Sequence, residues 1–134
     1  MDLARRQHLS LVVLRIFLAA TMITHGVARI NAGGVAPFGE FLTISGFPLG
    51  FYLAWAITVF EIGGGIILAI GYFVPVLASI FAVQLIMGIV LVHAKEGWFV
   101  VGLGRNGMEY SVLLIVSFLA MAFAHYETER RRRF

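Results

Sequence analysis

A few ionisable or strongly polar side chains interrupt stretches of this sequence that are otherwise apolar: Arg15, His25, Arg29, Glu61, Gln84, His93 and Glu109. Near the centre of a lipid span an ionisable group costs about 2.5–3.5 kcal/mol on insertion scales, so residues of this kind mark a site or an internal pair. His25 and Arg29 stand at i and i+4, on one face of a helix. His93 and Glu109 close and open the next two apolar stretches but one. Imidazole can donate and accept hydrogen bonds, and a nearby carboxylate raises its proton affinity and suits proton exchange with a quinol. Two histidines could also ligate a metal or a haem. A polar network that merely closes one end of a helical bundle is the third reading.

Composition says what must carry these groups. Of 134 residues, 60% are hydrophobic and 13% charged, against roughly 25% charged in soluble domains. Polar surface is too scarce to cover a water-soluble fold, whereas lipid can solvate an apolar outer face. The length suits one domain, residues 1–134. The absence of cysteine removes disulfides, thiolate metal sites and dithiol redox chemistry from this chain. The net charge of +3 comes largely from the ends, where Arg130 to Arg133 form a run. Such a run reads as an anchor against anionic lipid, and with no other basic stripe nucleic acid is excluded as a partner.

Four apolar stretches, approximately residues 9–30, 50–70, 75–93 and 108–126, are each about 20 residues, or about 30 Å as helix, which matches the hydrocarbon core. The expected fold is all-α: a four-transmembrane-helix bundle with interfacial loops on the outer side. An uncleaved first helix fits better than a signal peptide, because Arg15 interrupts the apolar run early and the run continues to Ile30. Pro75 suits the first turn of the third span, and the short link at residues 71–74 implies a tight hairpin. In the longer link at residues 31–49, Phe38, Phe41 and Leu42 at i, i+3 and i+4 predict a short helix lying in the interface, apolar side down. Trp98 and Phe99 lie in the other long link and read as membrane anchors. Arg5, Arg6 and the terminal arginine run outweigh Arg29, Lys95 and Arg105, so both termini are expected in the cytoplasm.

Counting depth from the cytoplasmic ends at 1.5 Å per residue puts Arg15 at about 9 Å and Glu61, Gln84 and Ser117 at about 14 Å. His25, His93 and Glu109 fall at about 24–27 Å, with Arg29 just beyond. The stripe Ala54, Thr58, Glu61, Gly65 and Leu68 is small-residue rich and turns Glu61 inward. A matching stripe on the first span runs Arg15, Ala19, Met22, Gly26 and Arg29. These depths predict an Arg15–Glu61 pair. The alternative leaves Arg15 snorkelling to the surface and Glu61 bonded to Gln84 or Thr58. Gln84 and His93 are about 180° apart on an ideal helix and cannot share one core without a distortion; His93, on the face of Ala82 and Ile86, is taken as the inward one.

The segments "LRIFLAATMITHGVARI", "PFGEFLTISGFP", "FEIGGGIILAIGYF" and "NGMEYSVLLI" together resemble the DoxX-like family of small four-helix membrane proteins along nearly the full length. The family-like points are the arginine at 15, His25–Gly26, Glu61 followed by glycines, and the Gly-x-Glu ending at Glu109. The resemblance implies a multi-pass protein of the bacterial inner membrane, and relatives that are subunits of redox systems, some handling quinones and some thiol stress. Dithiol chemistry cannot be carried over to a chain without cysteine. The expected function is a redox-system subunit that presents or binds a quinone-like lipid and associates with an oxidoreductase partner, or with further copies of itself. His25, Arg29, His93 and Glu109 would contact the ligand, covered by the aromatic loops around Phe38 and Trp98, with Arg15 and Glu61 as the buried structural pair. No metal site is assigned. The alternative is a noncatalytic membrane scaffold or chaperone-like protein.

Overall fold

The computed structural model describes the backbone of residues 2–132 and the side chains of residues 2–126. The side chains of Arg130 to Arg133, expected to anchor the C-terminus, lie outside the described residues. The chain is all-helical, with no strand among the described residues. Leu3–Asn31, Gly50–Ile70, Val74–Glu96 and Glu109–Tyr126 are long and apolar enough to cross a membrane. Large apolar side chains are open on these helices, with Phe17 70%, Val116 59% and Phe123 87% exposed. That is the pattern of helices solvated by lipid, where an apolar outer surface carries no penalty.

The chain divides into two compact units, Met1–Tyr72 and Phe73–Phe134. The first holds α1 (Leu3–Asn31), α2 (Val35–Ile44) and α3 (Gly50–Ile70). Helix α1 starts before the apolar run because Asp2 caps it, its carboxylate accepting from the Arg5 N–H at 2.8 Å, and because Leu, Ala, Arg and Gln are good helix formers. It stops at Gly33, whose φ of +65° lets the Gly34 N–H return to the Arg29 carbonyl at 2.8 Å.

α1 and α3 pack through the two small-residue stripes read from the sequence. Ala19, Met22 and Gly26 are buried on one side, and Ala54, Thr58, Glu61, Gly65 and Leu68 on the other. Gly26 sets their approach: a Cβ there would lie 2.8 Å from Ile62 Cγ1 and 3.0 Å from the Thr58 carbonyl oxygen. A Cβ on Gly65 would meet Ile23 and the Ala19 carbonyl, and one on Gly71 would meet the Arg15 guanidinium. Residues near 26, 19 and 15 therefore face those near 61, 65 and 71, an antiparallel register.

The short helix expected in the first long link is α2, but its apolar face is not turned only to the interface. Val35, Gly39 and Leu42, at i, i+4 and i+7, are buried, while Phe38 and Phe41 are half-buried. A Cβ on Gly39 would strike the Phe51 backbone at 2.7 Å, so the helix lies directly on the start of α3.

The second unit holds α4 (Val74–Gly88), a π turn (Ile89–His93), a 3-10 turn (Ala94–Glu96) and α5 (Glu109–Arg132). Proline sits in the first turn of α4, as expected. α4 and α5 share a core in which the rings of Phe81 and Phe118, both fully buried, lie 5.3 Å apart, with Leu77, Ala78, Leu114 and Met121 around them. Ser117, placed in the inner polar layer by depth, gives its hydroxyl to the Leu113 carbonyl of its own helix at 2.8 Å. Such a bond satisfies a hydroxyl without any neighbour.

Candidate functional site

In the first unit the polar centre is an Arg29–Glu61 ion pair. Arg29 Nη1 donates to Glu61 Oε2 at 2.5 Å and Nη2 to Oε1 at 3.2 Å, a two-pronged contact that fixes both side chains in one plane. Nη1 also donates to Thr58 Oγ1 at 2.9 Å, and Thr58 in turn donates to the Ala54 carbonyl at 2.7 Å. That second bond aims a Thr58 lone pair at the guanidinium. The Phe38 ring lies over the arginine, 4.6 Å from Cζ to its centroid, adding a cation–π contact on one face. The side chains are 18% and 3% exposed for Arg29 and Glu61.

This corrects the expected Arg15–Glu61 pair. The Arg15 guanidinium lies against Gly71, ten residues and therefore about 15 Å along α3 from Glu61. Depth counted from Leu9 on the first span and Ile70 on the second misaligns the two helices, because in the antiparallel register Arg15, not Leu9, stands level with the end of α3. Moving α1 by about 9 Å brings Arg29 within reach of Glu61. The inward direction of Glu61 was legible from its stripe, and Thr58 could have been named with it, being three residues earlier on the same face. Phe38 was visible only as an aromatic in a loop; nothing in its spacing pointed at Arg29.

A guanidinium has five N–H donors. Those on Arg29 Nε and the second on Nη2 meet no acceptor among the described residues. His25, one turn earlier on α1, is exposed and makes no hydrogen bond or ion pair among the described residues.

In the second unit His93 and Glu109 grip the loop between them. His93 Nδ1 bonds the Asn106 carbonyl at 2.8 Å, and Glu109 Oε1 accepts from the Val100 N–H at 2.9 Å. Backbone bonds from Gly107 to Phe99, Met108 to Gly97 and Glu109 to Trp98 close the same loop. The helix distortion required between Gln84 and His93 is the π turn, and both residues are half-buried. Ile86, taken as sharing the buried face with Ala82 and His93, is 45% exposed. A straight-helix projection does not survive a turn widened to i→i+5 bonds.

No group of three or more His, Cys, Asp or Glu side chains placed to hold a metal ion occurs among the described residues. No curated protein and no solved structure matches the chain. The family model described as DoxX matches residues 10–94, which take in most of α1 and all of α2, α3, α4 and the π turn, and with them Arg29, Thr58, Glu61 and His93. That match covers more than half of the sequence, and the chain belongs to the DoxX family.

Proposed function

We propose that this DoxX-family membrane protein is a subunit of a redox system of the bacterial inner membrane that binds a quinone-like lipid through its outer end. The observation that carries the reading is the held but unsaturated guanidinium of Arg29. Glu61, Thr58 and Phe38 fix its position, and the donors left on Nε and Nη2 can take a ligand carbonyl oxygen. A donor held this firmly loses little freedom on binding, which favours recognition of a small polar headgroup. His25, about 40° round the same helix, adds an imidazole able to donate or accept. In this reading His93 and Glu109 order the outer loop and its aromatics, Trp98 and Phe99. The redox chemistry belongs to an oxidoreductase partner, since the chain supplies no thiol to exchange.

Lipid extraction and mass spectrometry of gently purified protein tests this. Wild type should retain a quinone above its share of bulk membrane lipid, and His25→Ala should lose most of it with no change in melting temperature. Equal quinone content in both, at the bulk fraction, contradicts the reading. A specific observation favours the noncatalytic scaffold in that event: His93 Nδ1 and Glu109 Oε1 are engaged by the protein's own backbone.

The arginine asymmetry supports cytoplasmic termini. Cysteines introduced singly at the exposed positions His8, on α1, and Glu40, on α2, should react from opposite sides of intact cells. An impermeant maleimide should label only the second from outside; labelling of the first alone would invert the topology.

A further inference from the structure

His93 has a fixed tautomer. Its partner at Nδ1 is a carbonyl oxygen, 2.8 Å away on Asn106, and a carbonyl can only accept, so Nδ1 carries the proton. A neutral imidazole protonated at Nδ1 has a bare lone pair at Nε2. Nε2 meets no donor among the described residues, although the side chain is half-buried. The ring is held at both its base and its edge. Its backbone ends the π turn Ile89–His93, an element often found at functional positions. Asn106, whose carbonyl accepts from Nδ1, has the left-handed φ of +58°, directly before the buried Gly107, where a Cβ would meet the backbone of Trp98 and Phe99. A loop so closely packed presents the Asn106 carbonyl at one place and leaves the ring little choice of orientation.

We propose that His93 Nε2 is a binding position for a hydroxyl donor, as in the reduced, quinol form of a quinone-like lipid. The inference rests on the reading above and extends it. Arg29 can only donate, and so recognises a carbonyl; His93 at Nε2 can only accept while neutral, and so recognises an O–H. A metal ion is the other partner an imidazole lone pair can take, but it needs further ligands, and no metal-holding cluster accompanies His93 among the described residues.

Asparagine and glutamine separate the two ring nitrogens. An Asn amide can reproduce the Nδ1 donor and keep the bond to residue 106, while removing the acceptor at Nε2. The probe is a decyl-substituted benzoquinol, with the matching benzoquinone, titrated into the full chain in lipid nanodiscs. Nitrogen-15 NMR of the neutral wild-type ring should show the proton on Nδ1. His93→Asn should weaken quinol binding about tenfold, the effect of losing one buried hydrogen bond, with quinone binding unchanged and Trp98 fluorescence as in wild type. His93→Gln should disturb Trp98 fluorescence, because the tether to residue 106 is lost. A proton on Nε2, or quinol affinity unchanged in His93→Asn, overturns the inference while the quinone-binding reading stands. Wild type that binds neither form overturns both.

Discussion

Replacing Glu61 with alanine will lower the unfolding free energy by about 3 kcal/mol, the lower end of the range for removing one partner of a buried ion pair. The loss comes from what remains: Arg29 keeps its charge, its contact with Thr58 and the ring of Phe38 above it, with its carboxylate gone. The partial exposure of the guanidinium, 18%, keeps the loss from the top of the range. Glu61→Gln should cost less, since an amide oxygen still accepts from Nη1 or Nη2 although the opposite charge is absent. Reversible unfolding in lipid nanodiscs, followed by Trp55 and Trp98 fluorescence, measures both. Equal stability of wild type and Glu61→Ala would show that the pair contributes nothing to the fold.

Gly26→Leu is expected to be at least as damaging, through packing rather than charge. The first atom of any side chain at this position would lie 2.8 Å from Ile62 Cγ1, 3.0 Å from the Thr58 carbonyl and 3.2 Å from Glu61 Cβ. α1 must therefore move off α3 at the level of the ion pair. Overpacking of this kind costs about 1–3 kcal/mol, and the loss of the Arg29 geometry adds to it. The matched control is Gly63→Ala, where nothing lies within 4 Å of the new Cβ. There the exchange should be neutral or stabilising by up to about 1 kcal/mol, because alanine is the better helix former. A Gly26→Leu protein with native melting would remove the close approach of α1 and α3 from the account.

What the sequence made legible follows from periodicity. Ala54, Thr58, Glu61, Gly65 and Leu68 are spaced to fall on one helical face, and all are buried; Ala19, Met22 and Gly26 behave likewise on α1. Faces are local properties, so spacing alone finds them. Register between helices is not local. Hydropathy marked α1 from Leu9, while the helix begins at Leu3 and its level with α3 is set by where Gly26, Gly65 and Gly71 allow contact. That offset exchanged Arg29 for Arg15 as the partner of Glu61. The role of Phe38 depends on α2 lying against α3 through Gly39 and Gly50, which no pattern within α2 announces. In the second unit, the need for a distortion before His93 could be deduced from the angle to Gln84. The bonds of His93 and Glu109 to the loop could not, because they end on backbone atoms that carry no side-chain signature.

The site and the function proposed for it are built on the partnership of Arg29 with Glu61, and a pair of double-mutant cycles tests that partnership most directly. Alanine substitutions at Arg29 and Glu61, singly and together, should show a coupling of about 2 kcal/mol, within the range for residues in direct contact. The parallel cycle between Arg15 and Glu61 should give a coupling near zero, because about 15 Å of helix separates Glu61 from Gly71, where the Arg15 guanidinium rests. Coupling of Glu61 to Arg15 with none to Arg29 would contradict the account.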